Sequence, residues 1–101
     1  MKKELGMGMA VVGLLSTSIA AYAFTGQEYA KEAKVSLAQA RASALKAHPG
    51  KISDEELEKE AGGSGLRYSF DIASKLGTQE VGVDAQTGAV LENKAEGSNP
   101  D

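Results

Sequence analysis

Residues 81–90, Val-Gly-Val-Asp-Ala-Gln-Thr-Gly-Ala-Val, predict a β-hairpin around which the rest of the chain can be arranged. Val81 and Val83 point to one face of an incoming strand, and the apolar pattern resumes after a short link. Asp84 suits the first position of a type I turn, because its carboxylate accepts hydrogen bonds from the N–H groups that follow. Gly88 suits the residue after the turn, where a positive φ strains any residue with a Cβ atom. We therefore expect Asp84 and Gly88 to be structural turn residues.

Upstream of this hairpin, residues 66–73 carry the clearest strand pattern of the chain. Large apolar side chains alternate with smaller or polar ones at Leu66, Tyr68, Phe70 and Ile72. A period of two is typical of a strand with one buried face. Residues 78–84 form the next strand, and residues 89–93 return along it. Together these segments predict an antiparallel meander.

A single helix is predicted before the strands. Ser36 can cap its N-terminus, and Gln39 lies three residues later, as a capping box requires. The helix ends at residues 48–50, His-Pro-Gly, since proline cannot continue the helical hydrogen bonds. Ala40 and Ala44 share a narrow face that suits close packing on a sheet.

The segment between helix and meander, residues 51–60, gives conflicting local signals. Ser53 is followed three residues later by Glu56, a pattern that favours the start of a second helix. Only two large apolar residues lie in the segment, which fits neither a helical nor a strand period well. Local sequence leaves both helix and strand open.

The first 23 residues have the pattern of a secretory signal peptide. Lys2 and Lys3 form a short basic start, and a run of apolar or small residues follows. Residues 21–23, Ala-Tyr-Ala, place small side chains at the two positions that a signal peptidase inspects, which predicts cleavage before Phe24. The alternative is an uncleaved membrane anchor, because about 20 such residues can just span a bilayer.

The remaining chain is predicted to be one small domain between two polar segments. We expect a polar arm at residues 24–34, the folded domain at residues 35–93 and a disordered tail at residues 94–101. The whole chain has a net charge of −3, and loss of residues 1–23 would remove two lysines and one glutamate, which leaves about −4. This acidic balance argues against a nucleic-acid partner. The chain has no cysteine, which excludes disulfides and thiol chemistry.

No residue pattern indicates a catalytic, cofactor or metal site. His48 is the only histidine, whereas a transition-metal site needs several His or Cys ligands. We expect His48 to interact with the helix C-terminus, where a positive charge is favourable. No nucleophile elbow accompanies it, so a serine hydrolase is not indicated.

The one concentration of charge is an acidic run made of Asp54, Glu55, Glu56, Glu58 and Glu60. Such a run is typical of a solvated edge strand, where charges discourage sheet-to-sheet aggregation. The functional alternatives are a docking surface for a basic partner or weak binding of divalent cations. A calcium loop needs a defined ligand spacing and a glycine bend, which this run lacks.

Residues 35–92 resemble the PepSY domain family. The resemblance lies in the capped helix, its exit at residues 48–50, the strand at residues 68–72 and above all residues 83–91, Val-Asp-Ala-Gln-Thr-Gly-Ala-Val-Leu. It implies an α+β fold, in which one N-terminal helix packs on a small antiparallel sheet in the order α-β-β-β with a closing hairpin strand. It also implies that residues 51–60 form a strand, since cross-strand pairing overrides weak helix propensity.

The resemblance also implies a function without catalysis. PepSY domains occur in propeptides of secreted metallopeptidases, where they are linked to inhibition, and as small exported proteins standing alone, to which this chain is similar. The expected function is therefore an exported, periplasmic or extracellular, non-enzymatic binding module that inhibits or modulates an envelope or secreted peptidase. The alternative is a ligand- or cation-responsive envelope sensor that uses the acidic run. No cofactor is expected, and contact with a membrane is expected only through residues 1–23 if they stay uncleaved.

Overall fold

The computed structural model describes residues 24–96, so the predicted signal peptide and the last five residues lie outside the described part. A 3-10 helix (Gln27–Glu32) and an α-helix, α1 (Leu37–Ala47), are followed by four strands, β1 (Lys51–Lys59), β2 (Leu66–Ser74), β3 (Gly77–Asp84) and β4 (Val90–Ala95). The strands form one antiparallel sheet in chain order, β1-β2-β3-β4. The predicted α+β arrangement, one helix on an antiparallel sheet, is confirmed.

The ends of α1 are set by the residues that the sequence indicates. The Ser36 hydroxyl accepts a hydrogen bond from the Gln39 N–H at 3.1 Å, and the Ser36 N–H donates to Gln39 Oε1 at 2.9 Å. This reciprocal pair completes the capping box. At the other end His48 leaves the helical conformation, and its N–H donates to the Ala44 carbonyl at 2.8 Å. Ala40 and Ala44 are fully buried, which lets α1 approach the sheet closely.

β1 confirms the strand implied for residues 51–60 and overrides the local helix signals. It pairs with β2 from Lys51 opposite Ala73 to Lys59 opposite Leu66, with a bulge between Ile52 and Asp54. β2 has the clearest apolar alternation of the chain. Pairing with β2 along its whole length outweighs the weak helical preference of β1. β1 also lies at an edge of the sheet.

The core lies between α1 and one face of the sheet. The alternating side chains of β2 and β3 are buried there, namely Leu66, Tyr68, Phe70, Ile72, Val81 and Val83. The rings of Tyr68 and Phe70 are stacked with their centroids 6.3 Å apart. The Tyr68 hydroxyl donates to the Val35 carbonyl at 2.8 Å, so its polar end is satisfied inside the core.

The polar arm at residues 24–34 is packed against the edge of β1. The Thr25 carbonyl accepts a hydrogen bond from the Leu57 N–H at 2.8 Å. The Lys59 ammonium lies 5.1 Å from the centre of the Tyr29 ring, within the range of a cation–π contact. Phe24, Tyr29 and Ala33 of the arm also pack against the core. Sequence reasoning missed this docking because it depends on a long-range backbone bridge and on a few apolar side chains scattered among charged ones.

β4 extends to Ala95, beyond the predicted domain boundary at Asn93. Lys94 pairs with Glu80 of β3, and Ala95 continues the same register. These residues join the sheet because β3 still offers backbone N–H and C=O groups at that point. The first residues assigned to a tail are therefore part of the domain.

Candidate functional site

The turn between β3 and β4 is organised by the carboxylate of Asp84. Its Oδ1 atom accepts hydrogen bonds from the N–H groups of Gln86 at 2.8 Å and Thr87 at 3.1 Å. Gly88 has a φ of +85°, and its N–H donates to the Asp84 carbonyl at 2.8 Å. The left-handed conformation at this position favours glycine.

The same carboxylate also holds the glycine-rich loop between β1 and β2. Asp84 Oδ2 accepts from the Ser64 N–H at 2.7 Å, and Oδ1 accepts from the Ser64 hydroxyl at 2.8 Å. Asp84 is only 1% exposed. Burial raises the pKa of Asp84, but hydrogen bonds from Ser64, Gln86 and Thr87 outweigh it and lower the pKa to about 2. An ionised Asp84 therefore ties two loops together at one end of the sheet.

The opposite face of the sheet carries most of the charge. Within residues 24–96, α1 packs on only one face, and the face turned away from it is termed the open face. Alternate residues of all four strands point to this open face, namely Asp54, Glu56, Glu58, Arg67, Ser69, Asp71, Glu80, Gly82, Glu92 and Lys94. It is a polar, predominantly acidic surface.

Three carboxylates lie directly opposite one another across the open face. The register pairs Asp54 with Asp71, and Asp71 with Glu80. This set, Asp54, Asp71 and Glu80, is termed the carboxylate row. Like charges directly opposite on neighbouring strands are destabilising. β4 brings the first opposite charge, because Lys94 lies opposite Glu80.

Burial and mutual repulsion raise the pKa values of two members of the carboxylate row. Burial contributes most at Asp71, followed by the negative charges of Glu96 and Asp54. At Glu80 burial again contributes most, followed by Glu92 and Asp71, against a smaller opposing effect of the lysine on β4. A carboxyl group whose pKa is higher in the folded than in the unfolded chain destabilises the fold when it is ionised. We therefore expect the row to lower the stability of the fold at neutral pH.

Arg67 neutralises the other end of the open face. Its guanidinium lies 3.4 Å from a carboxylate oxygen of Glu92 and 3.6 Å from one of Glu60, and it donates to the Ala61 carbonyl at 3.2 Å. Arg67 is only 8% exposed. Its stem passes over Gly82, where an added Cβ would lie 2.9 Å from the Arg67 Cδ atom. The flat surface of the glycine thus makes room for a buried positive charge beside the turn and away from the carboxylate row.

The acidic run is divided between the two faces of the sheet. Asp54, Glu56 and Glu58 point to the open face. Glu55 lies on the helix side, where both its carboxylate oxygens accept hydrogen bonds from the Arg41 guanidinium at 2.8 Å. The last member of the run faces Arg67, as described above. Only part of the predicted partner surface therefore lies on the open face.

Two residues of the carboxylate row, Asp71 and Glu80, were not among the predicted site residues. The alternation along residues 66–73 already placed Asp71 on the polar face of its strand. The register that sets it opposite Asp54 depends on the bulge in β1, which has no sequence signature. The alternation therefore shows which face of the sheet Asp71 occupies, but the sequence does not show which residue lies opposite it.

A shallow groove lies beside the outer edge of β1. It has a volume of about 300 Å³ and is lined by Phe24, Thr25, Ile52, Ser53, Asp54 and Glu55. Among the described residues, Thr25 forms the one bridge to the outer side of this strand, opposite Glu56. The backbone next to that bridge is therefore accessible to an extended chain, which is one way in which sheet proteins bind peptides.

His48 lies at the C-terminal end of α1, as the sequence predicts. Among residues 24–96, no three or more His, Asp and Glu side chains are grouped in a way that could hold a metal ion. None of the helices in this described part has the length and apolar character that a membrane span requires.

The helix, the four-stranded meander and the hairpin turn define a small α+β module. The PepSY family model, described as "Peptidase propeptide and YPEB domain", matches residues 34–94. This match covers more than half of the chain, so the protein belongs to the PepSY family. The family is associated with propeptides and supports a general role in binding or regulation. Comparisons with curated proteins and with solved structures gave no match.

Proposed function

We propose that this protein is an exported, non-enzymatic module that binds and modulates an envelope or secreted peptidase through the open face of its sheet. The family description, which names peptidase propeptides, supports the class of partner. The carboxylate row is the observation that carries the choice of surface. It places like charges opposite one another on adjacent strands, at a cost in stability.

A basic partner surface would offset that cost. A positive charge near Asp71 or Glu80 favours the ionised form of each carboxylate and relieves the repulsion between them. Opposite charges across an interface also speed the encounter between two proteins. The open face therefore fits a partner that presents lysine or arginine side chains to the carboxylate row.

Export is supported by the pattern of residues 1–23. We expect the protein recovered from the periplasm or the medium to begin at Phe24, because the Ala-Tyr-Ala sequence precedes it. Mass spectrometry of the intact protein measures this directly. A mass that includes residues 1–23 would instead indicate a retained membrane anchor.

Neutralising the carboxylate row should stabilise the fold. The double variant Asp71→Asn, Glu80→Gln removes the like charges that lie opposite each other, so we expect the free energy of unfolding at pH 7 to rise by about 0.5–1 kcal/mol. The pKa values of Asp71 and Glu80 are raised in the folded state, so the repulsion destabilises the fold only when the pH lies above them. The gain should therefore disappear as the pH falls to about 3, where the wild-type carboxyls are protonated. Urea denaturation at both pH values measures the difference.

The same double variant should bind its partner more weakly. A tagged wild-type protein should recover a peptidase from the envelope fraction, and the affinity of the double variant for that peptidase should fall by about tenfold or more. Glu28→Gln, a change of an exposed acid on the 3-10 helix, is the matched control and should leave the affinity unchanged. Recovery of no peptidase, together with unchanged secreted proteolysis after deletion of the gene, would contradict the proposed partner. Unchanged affinity of the double variant would contradict the proposed surface.

A further inference from the structure

The outer edge of β4 ends the sheet on the side away from β1. Within residues 24–96, no strand lies beyond it. Glu92 and Lys94 point to the open face, while the Asn93 side chain lies on the helix side, where its amide nitrogen lies 3.5 Å from the Ala47 carbonyl. β4 therefore presents a strand edge with one acidic and one basic side chain on the same face.

The backbone groups that point outward from β4 follow from its pairing with β3. The Glu96 N–H donates to the Thr78 carbonyl at 2.9 Å, so Glu96 is turned toward β3. In an antiparallel pair, successive residues alternate between facing the partner strand and facing away from it. Asn93 and Ala95 therefore direct their N–H and C=O groups away from the sheet. The same alternation, carried across all four strands, turns the Leu57 N–H outward from β1, as its hydrogen bond to the arm requires.

We propose that β4 pairs with β4 of a second copy of this chain, antiparallel and about a two-fold axis at Asn93. In this register the outward N–H and C=O groups of Asn93 bond to those of Asn93 in the second copy. Glu92 then lies opposite Lys94 of the second copy, and Lys94 lies opposite its Glu92. Both ion pairs form on the open face, and the two sheets become one sheet of eight strands.

Charge selects this register over its neighbours. A shift in one direction keeps the same outward backbone groups but sets Glu92 opposite Glu92 of the second copy. A shift in the other direction sets Lys94 opposite Lys94, and Glu92 opposite Glu96. Like charges directly opposite each other destabilise a strand pair, and opposite charges stabilise it. Of these three registers, only the one centred on Asn93 sets Glu92 opposite Lys94, and it places Glu96 opposite the uncharged Val90.

The side chain that must reach across is largely exposed to solvent. Lys94 lies 3.2 Å from Glu92 of its own chain, and its side chain is 66% exposed. An exposed contact of this kind contributes little, so exchanging it for a pair across the axis costs little. The pairing uses the edge opposite β1, so it leaves the groove beside β1 accessible and does not depend on the proposed peptidase partner.

The association is tested by sedimentation velocity of the exported protein over a wide concentration range at low salt. Wild-type protein should dimerise, and Lys94→Glu should weaken the dimer by about tenfold or more, because it sets like charges opposite each other. Ala95→Pro removes an outward N–H and no bond to β3, so it should abolish the dimer while the monomer stays folded by circular dichroism. Lys75→Glu makes the same charge change in the exposed turn between β2 and β3 and should have no effect.

A cysteine cross-link tests the register itself. The chain has no cysteine, so Asn93→Cys introduces one thiol at the proposed axis. The Cα atoms of a hydrogen-bonded antiparallel pair lie about 5.5 Å apart, within the range of a disulfide. We expect mild oxidation to link Asn93→Cys into dimers and to leave Lys75→Cys mostly monomeric. Wild-type protein that stays monomeric at every concentration, or a dimer that Lys94→Glu leaves unchanged and Asn93→Cys does not link, overturns the proposal.

Discussion

Asp84→Asn should lower the free energy of unfolding by about 2 kcal/mol at pH 7. The buried carboxylate accepts four hydrogen bonds, two of them from Ser64. The amide of asparagine keeps the shape but has one acceptor oxygen in place of two, and it carries no charge. Its NH2 group would face the N–H donors that now bond to a carboxylate, which leaves buried donors unpaired.

The pH dependence of this effect has a defined sign. The pKa of Asp84 falls from 3.8 to about 2 on folding, so the ionised group stabilises the fold above about pH 4. This stabilisation is lost as the pH falls from about 4 toward 2. Asp84→Asn should lack that loss, so the difference between the two proteins should shrink across this window. Urea denaturation at a series of pH values provides the measurement.

The carboxylate row acts in the opposite direction over part of the same range. Raised pKa values make Asp71 and Glu80 destabilising when ionised, so their protonation adds stability as the pH falls. The variant Asp71→Asn, Glu80→Gln is therefore the right background in which to measure Asp84→Asn. A pH profile that is the same with Asp84 and with asparagine in that background would contradict the role assigned to Asp84.

Gly26→Ala should release the N-terminal arm from β1. Gly26 has a φ of +87°, and an added Cβ would overlap the Leu57 carbonyl oxygen. The backbone strain costs about 1 kcal/mol and the overlap about 1–3 kcal/mol more, and both costs are present only while the arm is docked on β1. We therefore expect the arm to detach while α1 and the sheet stay folded.

The matched control for this change is Gly65→Ala. Gly65 has a φ of +93°, close to that of Gly26, and nothing lies within 4 Å of its added Cβ. It should show the backbone strain without the overlap. Hydrogen exchange of the Leu57 amide reports the outcome, because that N–H donates to Thr25 of the arm. We expect it to exchange about a hundredfold faster in Gly26→Ala and nearly as in wild type in Gly65→Ala. Unchanged protection in Gly26→Ala would show that the arm tolerates the side chain.

Local rules were sufficient for much of this fold. The capping box at Ser36 and the alternation from Leu66 to Ile72 depend on residues only a few positions apart, so both could be predicted from the sequence. The hydrogen bonds between Asp84 and Ser64 could not be predicted, because twenty residues separate them and each is an ordinary residue type for a turn. β1 could be predicted only from the family resemblance, because its local sequence favours a helix and only pairing with β2 makes it a strand.

The candidate site was less predictable than the fold for a specific reason. Which acids face each other across a sheet depends on register, and a slip of one residue moves a whole strand's side chains to the other face. The bulge between Ile52 and Asp54 changes that register inside the acidic run itself. It turns Asp54 toward Asp71 and leaves Glu55 to pair with Arg41 on the helix side.

The order of the strands has a consequence for how fast the chain folds. Each strand pairs with the one before it, so every sheet contact closes over a short connection, the shortest being the two residues between Ser74 and Gly77. Short closures cost little chain entropy, which favours fast folding in which β2 and β3 pair first. The bridge between Thr25 and Glu56 spans a much longer stretch, including all of α1. The arm therefore closes over a longer stretch of chain than any strand pair, and we expect it to dock after the sheet has formed.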